Sequence, residues 1–304
     1  MTGLPTSPLA DPASRPGRLR VGVVGSGRVG SILAAALAAA GHRVVAASGV
    51  SQASRHRAEA MLPSARVVTP PEVFDAAELV VVAVPDDALA DLVAGLAATG
   101  AVRPGQLVVH PSGRYGVRVL DPATRAGALP LALHPVMTFT GTSLDLGRLT
   151  GCCFGVTSPG PLRPVAEALV LEMGGEPVWV DEDARPLYHA ALAHGSNHLV
   201  TLVAQSMDLL GEAGVGDPGR MLAPLLGAAL DNALRGGDAA TTGPVVRGDS
   251  GTVADHVRAI GPVSAQILAT YRALARATAD RALASGRLKP DVAEALLDAL
   301  AGDP

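Results

Sequence analysis

The sequence predicts an α/β fold, in which a doubly wound parallel sheet is followed by an all-α C-terminal domain. In the first half of the chain, short apolar runs rich in Val alternate with helical segments rich in Ala and Leu. A G-x-G-x-x-G sequence separates the first of these runs from the first helix. From about residue 183 the strand-like runs stop, and long Ala/Leu helices follow.

The first elements follow the order strand, glycine turn, helix, strand. Leu19–Val24 is a β-branched run that predicts a strand, and Ser31–Ala40 has the composition of a helix. Gly41 is expected to end that helix, and Arg43–Ala47 to form the second strand. This order is the βαβ arrangement of a parallel sheet.

Later apolar runs extend the predicted sheet, since strands this apolar are expected where helices cover both faces. They are Leu79–Val84, "GQLVVH", "LPLALHP", "CCFGVTS" and "EPVWVD", with a helix at Val165–Met173 before the last. Helices are predicted at about 183–213, 218–235, 262–285 and 290–301, with a long loop over 235–252. The predicted domains are a disordered tail at 1–18, a Rossmann-type dinucleotide-binding domain at 19–182 and a helical substrate and dimerisation domain at 183–304.

Composition narrows the class of protein. The 304 residues are 48% hydrophobic and carry a formal net charge of −4, which gives no electrostatic reason to expect nucleic acid or an anionic membrane as a partner. No stretch offers the roughly 20 apolar residues of a membrane span. The cysteines, Cys152 and Cys153, are adjacent and form no disulfide framework. We therefore expect a soluble, cytoplasmic protein.

The glycine turn predicts a dinucleotide site. Gly25 permits a tight turn, Gly27 lets the backbone approach a pyrophosphate, and Gly30 lets helix and strand pack closely. The start of the following helix offers free N–H groups to the phosphates. The alternative is a glycine turn that binds nothing. The predicted contacts are Gly25, Ser26, Gly27, Arg28, Val29 and Gly30.

The end of the second strand favours NADP(H) over NAD(H). An NAD site usually has a carboxylate there for the ribose hydroxyls, but none occurs before Glu59. Ser48, Ser51 and Arg55 instead suit a 2′-phosphate, and Ser54 and Arg57 lie nearby in sequence. The alternative is that these arginines form the solvated face of the next helix.

Several polar or turn residues follow the apolar strands, and ligands bind at the carboxyl ends of parallel strands. We expect these residues to line one edge of the sheet near the nicotinamide. Val84, Pro85 and His110 are predicted to contact the cofactor. Ser112 is predicted to be catalytic, and Gly113 and His134 are predicted to contact the substrate.

The segment "HAALAHGSNH" carries three histidines and an asparagine on one predicted helix. His194, Asn197, His198 and Thr201 are spaced i, i+3, i+4 and i+7, which puts them on one face. His194 and His198 could chelate zinc, although no third ligand lies in the stretch. The stripe could also be a solvated face, or a catalytic face on which His194 donates a proton and Asn197 orients the substrate.

The motifs together resemble a family of Rossmann-fold, oxidoreductase-like proteins with a helical C-terminal domain of undefined function. The family is related in architecture to ketopantoate reductase, pyrroline-5-carboxylate reductase and the 3-hydroxyacid dehydrogenases. The resemblance covers nearly the whole chain after residue 18. Its motifs are Gly25–Gly30, "HPSG" at 110–113, "LHPVMTF" at 133–139, "HAALAHGSNHLVTL" at 189–202 and "TTGPVVRGD" at 241–249.

The resemblance implies an NADPH-dependent reductase of a small carboxylate-bearing 2-oxo acid such as ketopantoate. The 3-hydroxyacid dehydrogenases and ketopantoate reductases use a helix lysine with a nearby asparagine. The single lysine here is Lys289, so the resemblance implies that His194 replaces that lysine beside Asn197. Thr242 and Arg247 fall where pyrroline-5-carboxylate reductase holds the substrate carboxylate. Alternatively, this loop only forms a turn and caps helices, with Arg247 paired to Asp249. An imine reductase and a non-catalytic NADP(H) sensor remain alternatives, and a homodimer is expected.

Overall fold

The structure is a computed structural model that describes residues 17–302. The chain divides into two compact units, Met1–His194 and Gly195–Pro304. The division falls after His194, within one helix, whereas the change in composition predicted a boundary after residue 182. Residues 1–16 of the predicted tail lie outside the described residues, and the tail's last residue, Arg18, lies 3.5 Å from the Glu172 carboxylate.

The first unit contains an eight-stranded sheet in the order β3-β2-β1-β4-β5-β6-β7-β8. Six neighbouring strands run parallel, which confirms the predicted fold class. The order reverses at β1, with β2 on one side and β4 on the other, as in doubly wound sheets. The strands are β1 (Arg20–Val24), β2 (Arg43–Ser48), β3 (Arg66–Val67), β4 (Leu79–Val82), β5 (Leu107–His110), β6 (Leu129–Pro135), β7 (Cys153–Thr157) and β8 (Glu176–Trp179).

Helices cover both faces of the sheet, because successive strand residues point to opposite sides and both sides are apolar. Val81 belongs to one buried cluster and its neighbour Val80 to the other. The helices of this unit are α1 (Arg28–Ala39), α2 (Gln52–Met61), α3 (Pro70–Ala76), α4 (Asp86–Ala98), α5 (Asp121–Arg125), α6 (Leu144–Leu149), α7 (Arg163–Glu172) and the first part of α8 (Arg185–Glu212).

The seventh strand departs from the parallel pattern. β7 runs antiparallel to β6, with His134 opposite Gly155. The connection between them stays at the edge where β6 ends, since its Gly141 lies against Arg28 at the start of α1. A chain that re-enters the sheet from the edge it has just left must run in the opposite direction. The apolar composition of "CCFGVTS" carried no information on direction.

The second unit is helical, as predicted, but the long loop expected over 235–252 is more structured. It contains a 3₁₀ turn at Gly237–Ala240 and the short α10, and α11 begins inside it. Asp249 starts α11 by accepting a hydrogen bond from the Thr252 N–H at 3.1 Å. The helices are the rest of α8, α9 (Pro218–Gly236), α10 (Pro244–Arg247), α11 (Ser250–Ile260), α12 (Ala265–Ala284) and α13 (Pro290–Ala301).

The last four helices of this unit share an apolar core built from small and branched residues. Val253 of α11, Ala279 of α12 and Leu296 of α13 are each fully buried in it. Within residues 17–302, none of the helices combines the length and apolar character that a membrane crossing requires.

Candidate functional site

The turn between β1 and α1 has the geometry predicted for a phosphate site. Gly25 has φ +94°, a conformation that residues with a Cβ rarely adopt. The Gly25 and Ser26 N–H groups both donate to the Ser48 carbonyl at the end of β2. A Cβ on Gly30 would overlap the Gly25 carbonyl oxygen and lie 3.1 Å from Val23 of β1. The turn is therefore held against both neighbouring strands.

The space above Gly27 is open. A Cβ built on Gly27 would meet no atom within 4 Å, in contrast to Gly25 and Gly30. Gly27 caps α1 without a side-chain hydrogen bond, and no acidic residue lies in the first turn of the helix. The first N–H groups of α1 thus face an unfilled space at the positive end of the helix, which suits a phosphate.

Two predicted cofactor contacts, Ser26 and Ser48, form hydrogen bonds within the turn itself. Ser26 is fully buried, and its hydroxyl lies 3.0 Å from the carbonyl oxygens of both Ser48 and Ser54. The Ser48 carbonyl accepts from the turn, and its side chain is buried. Both residues therefore shape the turn, whereas Arg28 and the backbone of Val29 lie at the open helix start.

Arginines surround this turn. The Arg55 guanidinium donates to the Val50 carbonyl at 2.6 Å, which keeps it at the loop directly after β2. Arg28 and Arg57 both lie against Gly141, where a Cβ would come within 2.8 Å and 2.9 Å of their side chains. Ser51 begins α2 by accepting from the Ser54 N–H at 3.1 Å. The loop after β2 thus presents positive charge and a hydroxyl beside the glycine turn.

The "HPSG" segment after β5 is organised by a buried histidine. His110 is fully buried; its Nε2 lies 2.8 Å from the Gly116 carbonyl, and its Nδ1 accepts from the Ser112 N–H at 3.2 Å. Burial lowers the pKa of His110 to about 4, so the ring is neutral. Because both of its ring nitrogens form hydrogen bonds within the loop after β5, His110 stabilises the conformation of that loop. Ser112 is also buried and accepts from the Tyr115 N–H at 3.3 Å.

A second polar cluster lies beside that loop and includes residues from β6 and α8. His134 Nδ1 lies 2.8 Å from the Tyr188 hydroxyl, and the ring packs edge-on to His189 with centroids 6.4 Å apart. A Cβ on Gly113 would lie 2.9 Å from His134 Nε2 and 2.8 Å from the His189 ring. The structure thus brings together the predicted residues Gly113 and His134, and adds Tyr188 and His189.

Arg185, at the start of α8, is the largest of the fully buried side chains, with 1% of its surface exposed. Its Nε donates to the Thr157 hydroxyl at 2.8 Å, and its other nitrogens donate to the carbonyls of Gly155, Ala132 and Ser112 at 3.0, 3.3 and 3.4 Å. Among the described residues no carboxylate forms an ion pair with it. It is a buried positive charge stabilised by carbonyl dipoles.

The glycine turn and the histidine cluster occupy the same edge of the sheet. β1, β4, β5 and β6 are parallel neighbours, so their carboxyl ends all lie at this edge. Parallel strands are about 4.8 Å apart, so the ends of β1 and β5 are about 10 Å apart. Between them β4 is followed by Val84 and by Pro85, which caps α4. An extended ligand along this edge can contact both sites.

The other predicted residues lie at the end of the first unit or in the second. His194 and Asn197 are exposed on α8. Thr242 lines a cavity of about 300 Å³ in the helical unit. Arg247 is exposed, and within residues 17–302 it forms no ion pair with Asp249. Hydrogen bonds from Thr252, and then the charge of Arg247, lower the pKa of the Asp249 carboxyl. No group of three or more metal-ligating side chains in that range is arranged to hold a metal ion.

Arg185 and Tyr188 were missed from the sequence. Both precede the histidine stripe on the same helix, and an Arg followed by Pro at a helix start ordinarily indicates only an N-terminal turn. Tyr188 could have been predicted, because an aromatic residue next to a histidine is notable in a chain with an aromatic content of 2%.

The fold and the glycine turn define a Rossmann-fold protein with a helical C-terminal domain. Residues 3–135 match the Rossmann-like domain, and residues 152–278 match the domain of unknown function DUF2520. The chain therefore combines a Rossmann-like domain with a DUF2520 domain, which confirms the predicted resemblance. A search of curated proteins found no match.

Solved structures share the fold. A candidate NADP oxidoreductase from Bacteroides fragilis is 21% identical with a TM-score of 0.72, over 86% of this chain and 98% of that one. A reductive aminase from Aspergillus terreus, solved with NADPH and ethyl-5-oxohexanoate, is 18% identical with a TM-score of 0.64, over 92% and 99%. An imine reductase from Pseudomonas is 19% identical with a TM-score of 0.57, over 93% and 92%.

Proposed function

We propose that this protein is an NADP(H)-dependent reductase of a small carboxylate-bearing 2-oxo acid, with ketopantoate as the leading candidate. The observation that carries the cofactor assignment is the open space above Gly27 at an uncapped helix start. Gly25 and Gly30 keep the turn in the form that leaves this space. The similar structures named above support the same assignment, since their names include NADP and NADPH.

The preference for NADP(H) over NAD(H) is supported by charge. Arg55, Arg28 and Arg57 surround the glycine turn and the loop after β2, and a guanidinium can bind a 2′-phosphate with two parallel hydrogen bonds. Ser51 adds a hydroxyl at the same loop. The end of β2 carries no carboxylate that would repel a phosphate.

When bound, NADPH supplies the hydride that reduces the substrate. The chain's own residues would bind and orient the substrate and provide a proton. Gly113 and His134 lie beside each other at the edge of the sheet, and Ser112 sits in the same loop. His194 is proposed as the proton donor, because an imidazole can act as a general acid.

Three residues of the helical unit complete the proposal. Asn197 would orient the carbonyl, and Thr242 and Arg247 would hold the carboxylate, Arg247 through its guanidinium. Arg247 is exposed, and although its charge acts on Asp249, it forms no ion pair within residues 17–302. Arg114, which lies 5.0 Å from the centre of the Tyr115 ring, is the second candidate for the carboxylate.

The activity test uses purified full-length protein with NADPH and a panel of 2-oxo acids and cyclic imines. The proposal predicts substrate-dependent oxidation of NADPH, with ketopantoate among the substrates, and slower oxidation of NADH. Absence of turnover above background with every compound would overturn the assignment as a reductase. His194→Ala and Asn197→Ala should then each lower kcat, whereas the exposed His56→Ala on α2 should not.

An imine reductase is the second candidate, because two of the similar structures are named as an imine reductase and a reductive aminase. The same panel separates the two functions, since an imine reductase would reduce the cyclic imines and leave the 2-oxo acids. A non-catalytic sensor would bind NADPH tightly without turnover.

We further propose that a second copy of the chain covers α9. The leucines of this helix lie along one broad face, yet only Leu222 is buried. Leu225 is 64% exposed and Leu234 is 80% exposed. A broad apolar face on a helix is normally covered, and symmetric dimers are the commonest oligomers. The occupant we propose is therefore α9 and its neighbours from an identical chain.

A further inference from the structure

His134 lies between Tyr188 and the turn that contains Gly113. Its Nδ1 is 2.8 Å from the Tyr188 hydroxyl oxygen. Its Nε2 lies 2.9 Å from the position that a Cβ on Gly113 would take. Among residues 17–302, Nε2 has no hydrogen-bond partner. One ring nitrogen is thus engaged by the protein, and the other borders the space that the missing side chain of Gly113 leaves.

The hydrogen bond to Tyr188 determines which nitrogen carries the ring hydrogen. Burial raises the pKa of the Tyr188 hydroxyl, so the side chain is a neutral phenol with one hydrogen to donate. A phenol is a stronger donor than a neutral imidazole N–H, and an unprotonated imidazole nitrogen is a strong acceptor. The Tyr188 O–H therefore donates to Nδ1, and the ring hydrogen resides on Nε2.

The surroundings of His134 keep the ring neutral. Burial lowers its pKa to about 4, and the charges of Arg185 and His189 act in the same direction. The nearby Glu182 carboxylate accepts hydrogen bonds from the Val117 and Arg118 N–H groups and does not contact the ring. The groups that face or influence the ring are His110, Gly113, Gly155, Arg185, Tyr188 and His189.

We propose that Tyr188 positions His134 so that the Nε2–H donates a hydrogen bond to the carbonyl oxygen of the substrate. This inference rests on the proposed reductase function and names its substrate class. An oxygen that gains negative charge during reduction binds a fixed, neutral N–H more strongly than it does in the ground state. The hydrogen stays on His134, and the transferred proton comes from another group.

The same geometry discriminates against imines. A protonated imine carries its own N–H, which would meet the Nε2–H of His134 as a second donor. The neighbouring positive charge of Arg185 also opposes a cationic substrate and favours an oxygen that becomes anionic. The site therefore favours a carbonyl compound over a protonated imine.

The direct test is ¹⁵N NMR of the histidine rings in the full-length protein without cofactor or substrate. The His134 signals are assigned by their loss in His134→Gln. We expect a neutral ring near pH 7 with the hydrogen on Nε2, and a titration midpoint well below the ordinary value of 6.5. In Tyr188→Phe the hydrogen should redistribute between the two nitrogens. A ring with its hydrogen on Nδ1 in the wild type would overturn the proposal.

Kinetics provide the second readout. Tyr188→Phe should lower kcat for the best 2-oxo acid about tenfold with little change in KM, and His134→Ala should lower it about a hundredfold. Tyr115→Phe is the matched control, since no hydrogen bond of the Tyr115 hydroxyl is found within residues 17–302, and its kinetics should be unchanged. An unchanged kcat in Tyr188→Phe would contradict the positioning role.

The two readouts separate this inference from the reductase assignment. If the wild type reduces nothing in the panel, the reductase assignment fails, yet the NMR spectra still determine which nitrogen of His134 carries the hydrogen. If the wild type reduces cyclic imines better than 2-oxo acids, the reductase assignment holds and the hydrogen bond to a carbonyl is wrong.

Discussion

Gly30 packs so closely on Gly25 that the Gly25 carbonyl oxygen occupies the position a Cβ at residue 30 would take. The contact holds α1 against the end of β1 and so fixes where the first N–H groups of the helix point. Gly27, two residues after Gly25, faces open space instead. The three glycines of the motif therefore differ in function, two for the fold and one for the ligand.

This difference makes Gly27→Ala a specific probe of cofactor binding. The added methyl group meets no atom of the protein, so the thermal unfolding midpoint should stay close to wild type. It would fill the space proposed for the pyrophosphate, so the NADPH Kd should rise at least tenfold, as measured by calorimetry. Gly30→Ala should lower the unfolding midpoint. Gly95→Ala on α4, where a Cβ also meets nothing, should leave NADPH binding unchanged and raise the midpoint slightly, because alanine favours a helix interior. Tight NADPH binding by Gly27→Ala would argue against a phosphate at this turn.

The second prediction concerns the 2′-phosphate. Arg55→Ala removes the guanidinium held at the loop after β2 and should weaken NADPH binding while leaving NADH binding nearly unchanged. Loss of one charged hydrogen-bonding group corresponds to roughly 1.5–3 kcal/mol, or about 10- to 100-fold in Kd. Arg125→Ala on α5, an exposed arginine at a different helix, is the control. Equal wild-type affinity for the two cofactors would contradict the NADP(H) preference.

Acid should destabilise the protein through His110 and His134. Both have pKa values lowered to about 4 by burial, from 6.5 in an unfolded chain. Between these values the unfolded state binds protons that the folded state excludes, so stability is present above pH 6.5 and is lost as the pH falls. The slope should approach about 1.4 kcal/mol per pH unit for each histidine. Urea unfolding at a series of pH values measures it.

A variant distinguishes these histidines from the carboxylates, which titrate at lower pH. His134→Gln removes one of the two groups, so the slope between about pH 6.5 and 4.5 should fall to about half. His56→Gln on α2, an exposed position, controls for the loss of a histidine. A wild-type stability that is flat across this interval would show that the two rings are protonated in the folded state.

The proposed dimer predicts a change in mass. Leu225→Glu and Leu234→Glu place charges on α9 at positions that are exposed in a single chain but covered in the dimer. Each should shift the protein from dimer to monomer in light scattering after size-exclusion chromatography, because a buried, unpaired charge opposes association. Leu144→Glu on α6 substitutes an equally exposed leucine elsewhere and should leave the mass unchanged. A monomeric wild type would rule out the second copy as the occupant.

The sequence predicted the sheet well because buried parallel strands leave long apolar runs. The strand predicted at Leu79–Val84 ends at Val82, since the chain turns two residues earlier toward Pro85. The helix predicted from Ser31 begins at Arg28. Element ends depend on a few hydrogen bonds that composition does not encode. The direction of β7 depended on where its connection lies, which is a tertiary property.

The sequence predicted several residues of the candidate site but not how they contact one another. The glycine motif could be interpreted residue by residue because each glycine has a local backbone reason. His110 was predicted to contact the cofactor, but the structure buries both ring nitrogens in hydrogen bonds within its loop. Arg185 and Tyr188 join His134 only because β6 and α8 pack together. No sequence spacing encodes that contact, since the residues are far apart in the chain.

The last prediction concerns Arg185, which joins the start of α8 to the sheet. Arg185→Met keeps much of the side-chain volume but removes the donors to Thr157 and to the Gly155 and Ala132 carbonyls. Leaving these buried acceptors without partners should lower the free energy of unfolding by roughly 2–4 kcal/mol, measured as a lower urea midpoint at constant m-value. The unfolding free energy of Arg185→Lys should lie between those of the wild type and Arg185→Met, because one ammonium group cannot reach all the acceptors. Arg118→Met, which removes an exposed ion pair with Asp183, should leave the midpoint unchanged. If Arg185→Met is as stable as the wild type, hydrogen bonds from the guanidinium to these carbonyls do not contribute to stability. The burial of a positive charge beside His134 would then have a cause other than stability.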